Sequence, residues 1–290
     1  MGLRLKFNLV MIVVFAIGLG VTGYLSYELL HRNARDEVLR SAGVMMEAAL
    51  SMRGYTVGKV RPLLPHDPDK FLPESVPAFA ATEIMGLLKQ KYPDYSYKEA
   101  ALNPTNPRNR AVEWENDILN TFRAGSALNE ISGMRDTPTG RSLYLARPLQ
   151  IRDPACLSCH TNPEMAPPAM VKLYGAHNGY GWRLNEVVAA QIVSVPMDLP
   201  IRNANRAFVT FMSSLSAVFA VLFVLLNVML THLIVHPITR LSQSAEMISK
   251  GRLDVPDFSD RGRDEVSQLG QAFNRMRRSL EKAIALIDKR

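Results

Sequence analysis

Two long apolar runs divide the chain. Phe7 to Tyr27 carries no charged residue and, at roughly 20 residues, is long enough to cross a bilayer as a helix. Ala207 to Val235 is also apolar, with only His232 near its end as an ionisable group. It exceeds one hydrocarbon thickness, which predicts a tilted or protruding helix. Between the runs the pattern changes. Glu28 to Arg53 places Leu39, Ala42, Met46, Ala49 and Leu50 at helical spacing and predicts a helix continuing from the first run. Pro62, Pro65, Pro68, Pro73 and Pro77 then mark loops. Ala80 to Tyr92 and Val112 to Arg123 read as helices, with Asn103 to Arg110 as loop between them. Ser142 to Ile151 and Glu186 to Met197 read as strands, the second leading toward the second apolar run. Helices first and strands later predict an α+β domain over 28–206.

Beyond Val235 the pattern is helical again. Ile238, Leu241, Ala245 and Ile248 share one face, and Gly251 is a helix stop. Leu253, Val255 and Pro256 form a linker. Asp264-Glu265 opens a second helix with Val266, Leu269, Phe273, Met276, Leu280, Ala283 and Ile287 in alternating steps of three and four. That alternation is a heptad seam. Two short amphipathic helices cannot bury their stripes alone, so a partner helix pair is expected, most simply from a second copy. The organisation predicted is therefore a short tail at 1–6, a membrane helix at 7–27, a folded domain at 28–206, a membrane helix at 207–235 and a helical module at 236–290.

Charge sets the orientation. Arg4 and Lys6 precede the first run, and the tail after His236 is rich in Arg and Lys. Both termini should lie in the cytoplasm and 28–206 on the opposite side. A cleaved signal peptide would have a shorter apolar core, and Gly18, Gly20 and Gly23 offer weak cleavage sites. The net charge of +7 matches basic flanks on inner-leaflet phospholipid. No nucleic-acid motif accompanies it, so no nucleic-acid partner is expected.

Chemistry concentrates in Cys156-Leu157-Ser158-Cys159-His160, which holds both cysteines of the chain. C-x-x-C-H is the attachment spacing of c-type heme. Two thiols three residues apart can add to two vinyl groups on one porphyrin edge, and the adjacent His supplies an axial nitrogen to the iron. A zinc knuckle would need a distant fourth ligand. A thioredoxin-like pair would sit at a strand-to-helix junction, whereas this motif lies between the turn signals Asp153-Pro154 and Asn162-Pro163. Covalent heme attachment takes place outside the bacterial inner membrane, in agreement with a two-pass inner-membrane protein whose central domain is periplasmic.

Two family resemblances follow from these and further motifs. Pro237 after the membrane helix, "SKGRLD" at the end of the first tail helix, "RDEVSQLG" at the start of the second and "AFNRM" within it resemble a HAMP domain, the signal-relay module of bacterial receptors. This implies a parallel four-helix bundle made by two chains, hence a homodimer. The alternative is a juxtamembrane helix lying on anionic lipid. Arg53-Gly54-Tyr55-Thr56, Val76-Pro77-Ala78, Tyr97 to Pro107 (YKEAALNPTNP), Trp114-Glu115, Leu145 to Pro148, Ala155 to His160, Lys172 to Gly175 and Gly179 to Trp182 together resemble the periplasmic heme-c-binding PAS-like sensor family. The resemblance implies one covalent heme c in a PAS-like fold with a sensing role. Some relatives take a distal iron ligand from a Cys on the early helix, and this chain has no third Cys. Met45, Met46 and Met52 on that helix, and His66, Met165, Met170 and His177 in loops, are the candidates. Met52 is preferred because it adjoins Arg53, a candidate partner for a heme propionate.

The reading is a sensor, not an enzyme. Cys156 and Cys159 carry the heme thioethers, His160 is the proximal ligand, and HAMP passes a redox or small-ligand signal to a cytoplasmic partner. No kinase, methyl-accepting or cyclase motif follows Ile287, so that partner is expected in trans. A membrane-anchored c-type cytochrome that only carries electrons is the alternative, and it leaves the HAMP-like tail idle. A heme enzyme would need a distal acid-base pair, and no His/Arg constellation demands one.

Overall fold

The computed structural model describes residues 2–64, 70–125, 128–252, 254–258, 262 and 264–287. It forms two compact units, Glu28–Ala207 and the combination of Met1–Tyr27 with Phe208–Arg290.

The first of these units is a three-layer α/sheet/α sandwich. Its helices and strands are the C-terminal part of α1 (Leu3–Tyr55), α2 (Pro77–Lys91), β1 (Ser96–Ala101), α3 (Glu113–Arg123), β2 (Ile131–Thr137), β3 (Gly140–Gln150), the single turn α4 (Leu157–His160), α5 (Pro168–Tyr174), β4 (Val187–Pro196) and the start of α6 (Asp198–Met229). The sheet is antiparallel throughout, in the order β1-β4-β3-β2. Strand alternation divides its side chains cleanly. Leu143, Leu145, Val193 and Val195 face α1 and pack against Val38, Ala42 and Met46. Ala100, Ala146, Ala190 and Ile192 face α3 and pack against Ile118, Leu119 and Phe122. Glu115 fixes α3 in place: its carboxylate accepts from the Val112 N–H at 2.9 Å and from Lys98 Nζ of β1 at 2.7 Å.

The α+β, PAS-like expectation holds. The order of elements does not, because β1 falls between α2 and α3, before the expected strand region. Both β1 and β2 lie where no strand was expected. Pro65, Pro68, His66 and Leu253 lie outside the described residues.

In the other unit, the N-terminal part of α1 and α6 contain windows of mean hydropathy 2.2 and 2.6, and both are long enough to cross a membrane. Their large apolar side chains are mostly exposed, as on helices that face lipid rather than a core. Phe15 stacks on Phe219 at 4.8 Å, and Tyr27 meets Phe208 edge-on at 5.5 Å. After α6 the helix continues through one π-helical turn, Leu230–Val235, into α7 (His236–Ser249). Pro237 lacks an N–H and its ring crowds the preceding turn, and the wider π turn accommodates it.

Gly251 ends α7 with φ of +83°, and Arg252 N–H returns to Met247 O at 3.0 Å. Leu241, Ser244 and Ile248 are the buried positions of α7, whereas Ala245 is exposed. In α8 (Glu265–Ile287), Asn274 clasps the linker by accepting from Phe258 N–H and donating to Phe258 O, at 3.1 and 2.9 Å. Asp257 is held by Arg277 and Arg278, and these guanidinium groups keep its carboxyl below the ordinary range. Leu269, Met276, Leu280 and Ile284 remain exposed along α8.

Candidate functional site

The cysteine motif sits on the connection between β3 and β4. That connection is closed at its base by Ile151, which donates to Glu186 O at 2.9 Å and accepts from Asn185 N–H at 2.7 Å. Asp153 starts the motif by accepting from Ala155 N–H at 2.9 Å, so that Pro154–Cys156 forms a 3₁₀ turn running directly into α4. Helical backbone from Cys156 onward puts both thiols and His160 on consecutive turns of one short segment. Both thiols are half-buried. Cys156 and Leu157 pack with Trp182 against Ala101, Ile151, Val188 and Ala189 at the end of the sheet. Burial pushes the Cys156 thiol above its ordinary value, Asp153 adds to this, and the charges of Arg61 and Arg53 oppose it.

His160 is gripped from one side by the segment Gly179 to Trp182. Its Nδ1 donates to Gly179 O at 2.7 Å, with Thr105 Oγ1 at 3.5 Å. Its ring stacks on the Trp182 indole with centroids 3.8 Å apart and planes inclined by 12°. The backbone closes the contact: Trp182 N–H donates to His160 O at 3.2 Å and Gly181 N–H to Thr161 O at 3.0 Å. A carbonyl acceptor fixes the proton on Nδ1 and leaves Nε2 as the acceptor nitrogen of the ring. Burial lowers the imidazole pKa, with the Gly179 bond opposing, which favours the neutral ring that metal coordination requires. Gly179 has φ of +87°, and a Cβ there would lie 2.0 Å from Thr105 Oγ1 and 2.7 Å from Thr105 Cα.

The other predicted residues are placed as follows. Met52 is half-buried and lines an apolar groove of about 390 Å³ with Ala48, Ser51, Tyr55, Thr56 and Ile84. Arg53 has a protein partner that the sequence reading did not foresee: its Nη1 donates to both carboxylate oxygens of Glu99, at 2.6 and 2.7 Å. Met46 is fully buried in the core and Met45 packs against it, the filling role thioethers often take. Met170 is buried, while Met165 and His177 are exposed. Trp182, Thr105, Glu99 and Gly179 all lie in stretches that carry the family resemblance, but no spacing rule gave them a role.

Comparison with protein families now settles the relationship. A Tll0287-like family model matches residues 31–196, more than half of the chain. The chain belongs to the Tll0287-like family. The matched stretch runs from α1 to the last residue of β4, so it takes in the motif, the Gly179–Trp182 grip and all four strands. A HAMP model matches residues 229–282, from the end of α6 into α8. Among solved structures, the cyanobacterial heme-protein Tll0287 is similar over 55% of this chain and 95% of its own, at 17% identity and a TM-score of 0.45. No curated protein matches. The Tll0287-like domain is thus flanked by two helices long and apolar enough to cross a membrane, and is followed by HAMP, the arrangement of a two-pass membrane sensor.

Proposed function

We propose that the chain is a bacterial inner-membrane heme-c receptor that passes a periplasmic redox or small-ligand signal through HAMP to a cytoplasmic partner. The observation that carries this reading is His160: a half-buried imidazole, tautomer fixed by Gly179 O and stacked on Trp182, one residue beyond a thiol pair of heme-attachment spacing. These residues fit the group. Cys156 and Cys159 would hold the thioethers, and His160 Nε2 would face the iron. Heme c, when bound, would supply a one-electron centre. Met52 is proposed as a further iron ligand, and Arg53, whose charge acts on the Cys156 thiol, for a propionate. The basic flanks and the HAMP match support cytoplasmic termini and a homodimer.

The test is spectroscopic. Full-length protein, matured in a host with c-type cytochrome assembly and purified in detergent, should give a pyridine hemochrome that survives acid-acetone extraction. Replacing both Cys156 and Cys159 with Ser should abolish it. Protein that carries only extractable heme, or none, rejects the reading. Spectra of the oxidised and reduced protein with CO and NO then separate the two kinds of signal. A low-spin iron indifferent to both gases assigns redox sensing, and a readily ligated iron assigns a small ligand.

A further inference from the structure

One buried polar network extends from Arg53 to residues that the site as described does not use. Glu99 is 4% exposed, yet it is a carboxylate on a strand facing the core. It is held by Arg53 through two bonds and by Tyr97, whose hydroxyl donates at 2.7 Å. Gln191, its cross-strand partner on β4, donates to the Tyr97 hydroxyl at 3.0 Å. A buried ion pair is weak evidence of added stability, because desolvation offsets most of the attraction. Its position is more informative. Glu99 and Ala101 share one face of β1, about 7 Å apart by strand geometry. Ala101 packs in the same cluster as Cys156, Leu157 and Trp182. Arg53 adjoins Met52 in sequence. The network therefore joins the motif end of the sheet to the end of α1 and to β4.

Resting on the heme-c reading above, we propose that Glu99 is a positioning residue of the heme site. Its carboxylate neutralises the Arg53 guanidinium beside the prosthetic group and so sets the reduction potential, while Tyr97 and Gln191 tie the same charge pair to β4. An uncompensated positive charge at this range favours the reduced iron, and an uncompensated negative charge favours the oxidised iron. At an effective dielectric near 20, a unit charge roughly 10 Å away changes the redox equilibrium about tenfold, which for one electron is about 59 mV.

Optical redox titration of the full-length holoprotein tests this. Glu99→Gln should raise the potential by about that amount, and Arg53→Gln should lower it. The double variant should return close to the parent, and Glu99→Asp, which keeps the charge, should stay close to it. A purely structural role would move none of these with opposite signs. If Glu99→Gln does not fold, Tyr97→Phe carries the test: removing a donor leaves the carboxylate less screened, so the potential should fall several-fold in equilibrium, and no change would overturn the proposal. A heme-loaded Glu99→Gln protein with the parental potential overturns this proposal alone. A parent protein without covalent heme overturns it together with the heme-c reading.

Discussion

At the residue scale, the site depends on one glycine as much as on the cysteines. Gly179 supplies the carbonyl that orients His160 and has a backbone conformation that side chains rarely adopt, with Thr105 pressed against it. Gly179→Ala should cost roughly 3 kcal/mol or more, because a left-handed residue with a Cβ is strained and the clash reaches Thr105 backbone. Denaturant unfolding of the full-length protein should show this as a lower midpoint, and the heme spectrum should become heterogeneous as His160 loses its fixed orientation. The proximity of Cys156, Cys159 and His160 could be read from the chain because it is local and set by covalent spacing. The contacts of Gly179, Trp182 and Glu99 could not, because each acts on a residue far away in the chain: Gly179 on His160, and Glu99 on Arg53. No window of sequence contains both partners.

At the element scale, the same reason explains which strands could be read. β3 and β4 are rich in Leu, Val and Ile and sit at the centre of the sheet, so their pattern declares them. β1 reads Ser-Tyr-Lys-Glu-Ala-Ala, mostly poor strand formers, and its place is set by pairing with β4 and by partners of Lys98 and Glu99 on α3 and α1, all remote in sequence. β2 is an edge strand, half of it facing solvent. The hairpin between β2 and β3 is anchored to α6: Arg141 N–H donates to Asp198 Oδ1 at 3.3 Å, and Met197 N–H to Arg141 O at 2.8 Å. A Cβ on Gly140 would lie 2.0 Å from the Asp198 carboxylate, at φ of +119°. Gly140→Ala should therefore detach the hairpin tip, read as faster amide exchange at Arg141 and Met197. In the HAMP module, Asn274→Ala removes both bonds to Phe258 and should cost about 1–3 kcal/mol. Faster exchange of the Phe258 amide with an unchanged Tll0287-like domain would be the expected result.

At the scale of the whole molecule, the membrane helices and the relay module were the most legible features, since long uniform runs and heptads need no tertiary partner to be recognised. The α8 stripe of Leu269, Met276, Leu280 and Ile284, left exposed on a single chain, is the surface a second copy would cover. Cys introduced at Leu269 should crosslink across a parallel dimer in native membranes, with a yield that changes when the heme is reduced. Leu269→Lys combined with Met276→Lys should abolish crosslinking at Phe273→Cys while leaving the heme spectrum intact. The position of β4 adds a mechanical constraint. It is bonded on both sides, to β1 and β3, and a single residue, Met197, separates it from α6. Sliding it by one residue would exchange the side chains it sends to α1 with those it sends to α3, and the next register that keeps the two faces is about 7 Å away. A register slip of β4 against β1 and β3 is therefore disfavoured. The start of α6 is therefore tied to the sheet as one plate, and not to β4 alone.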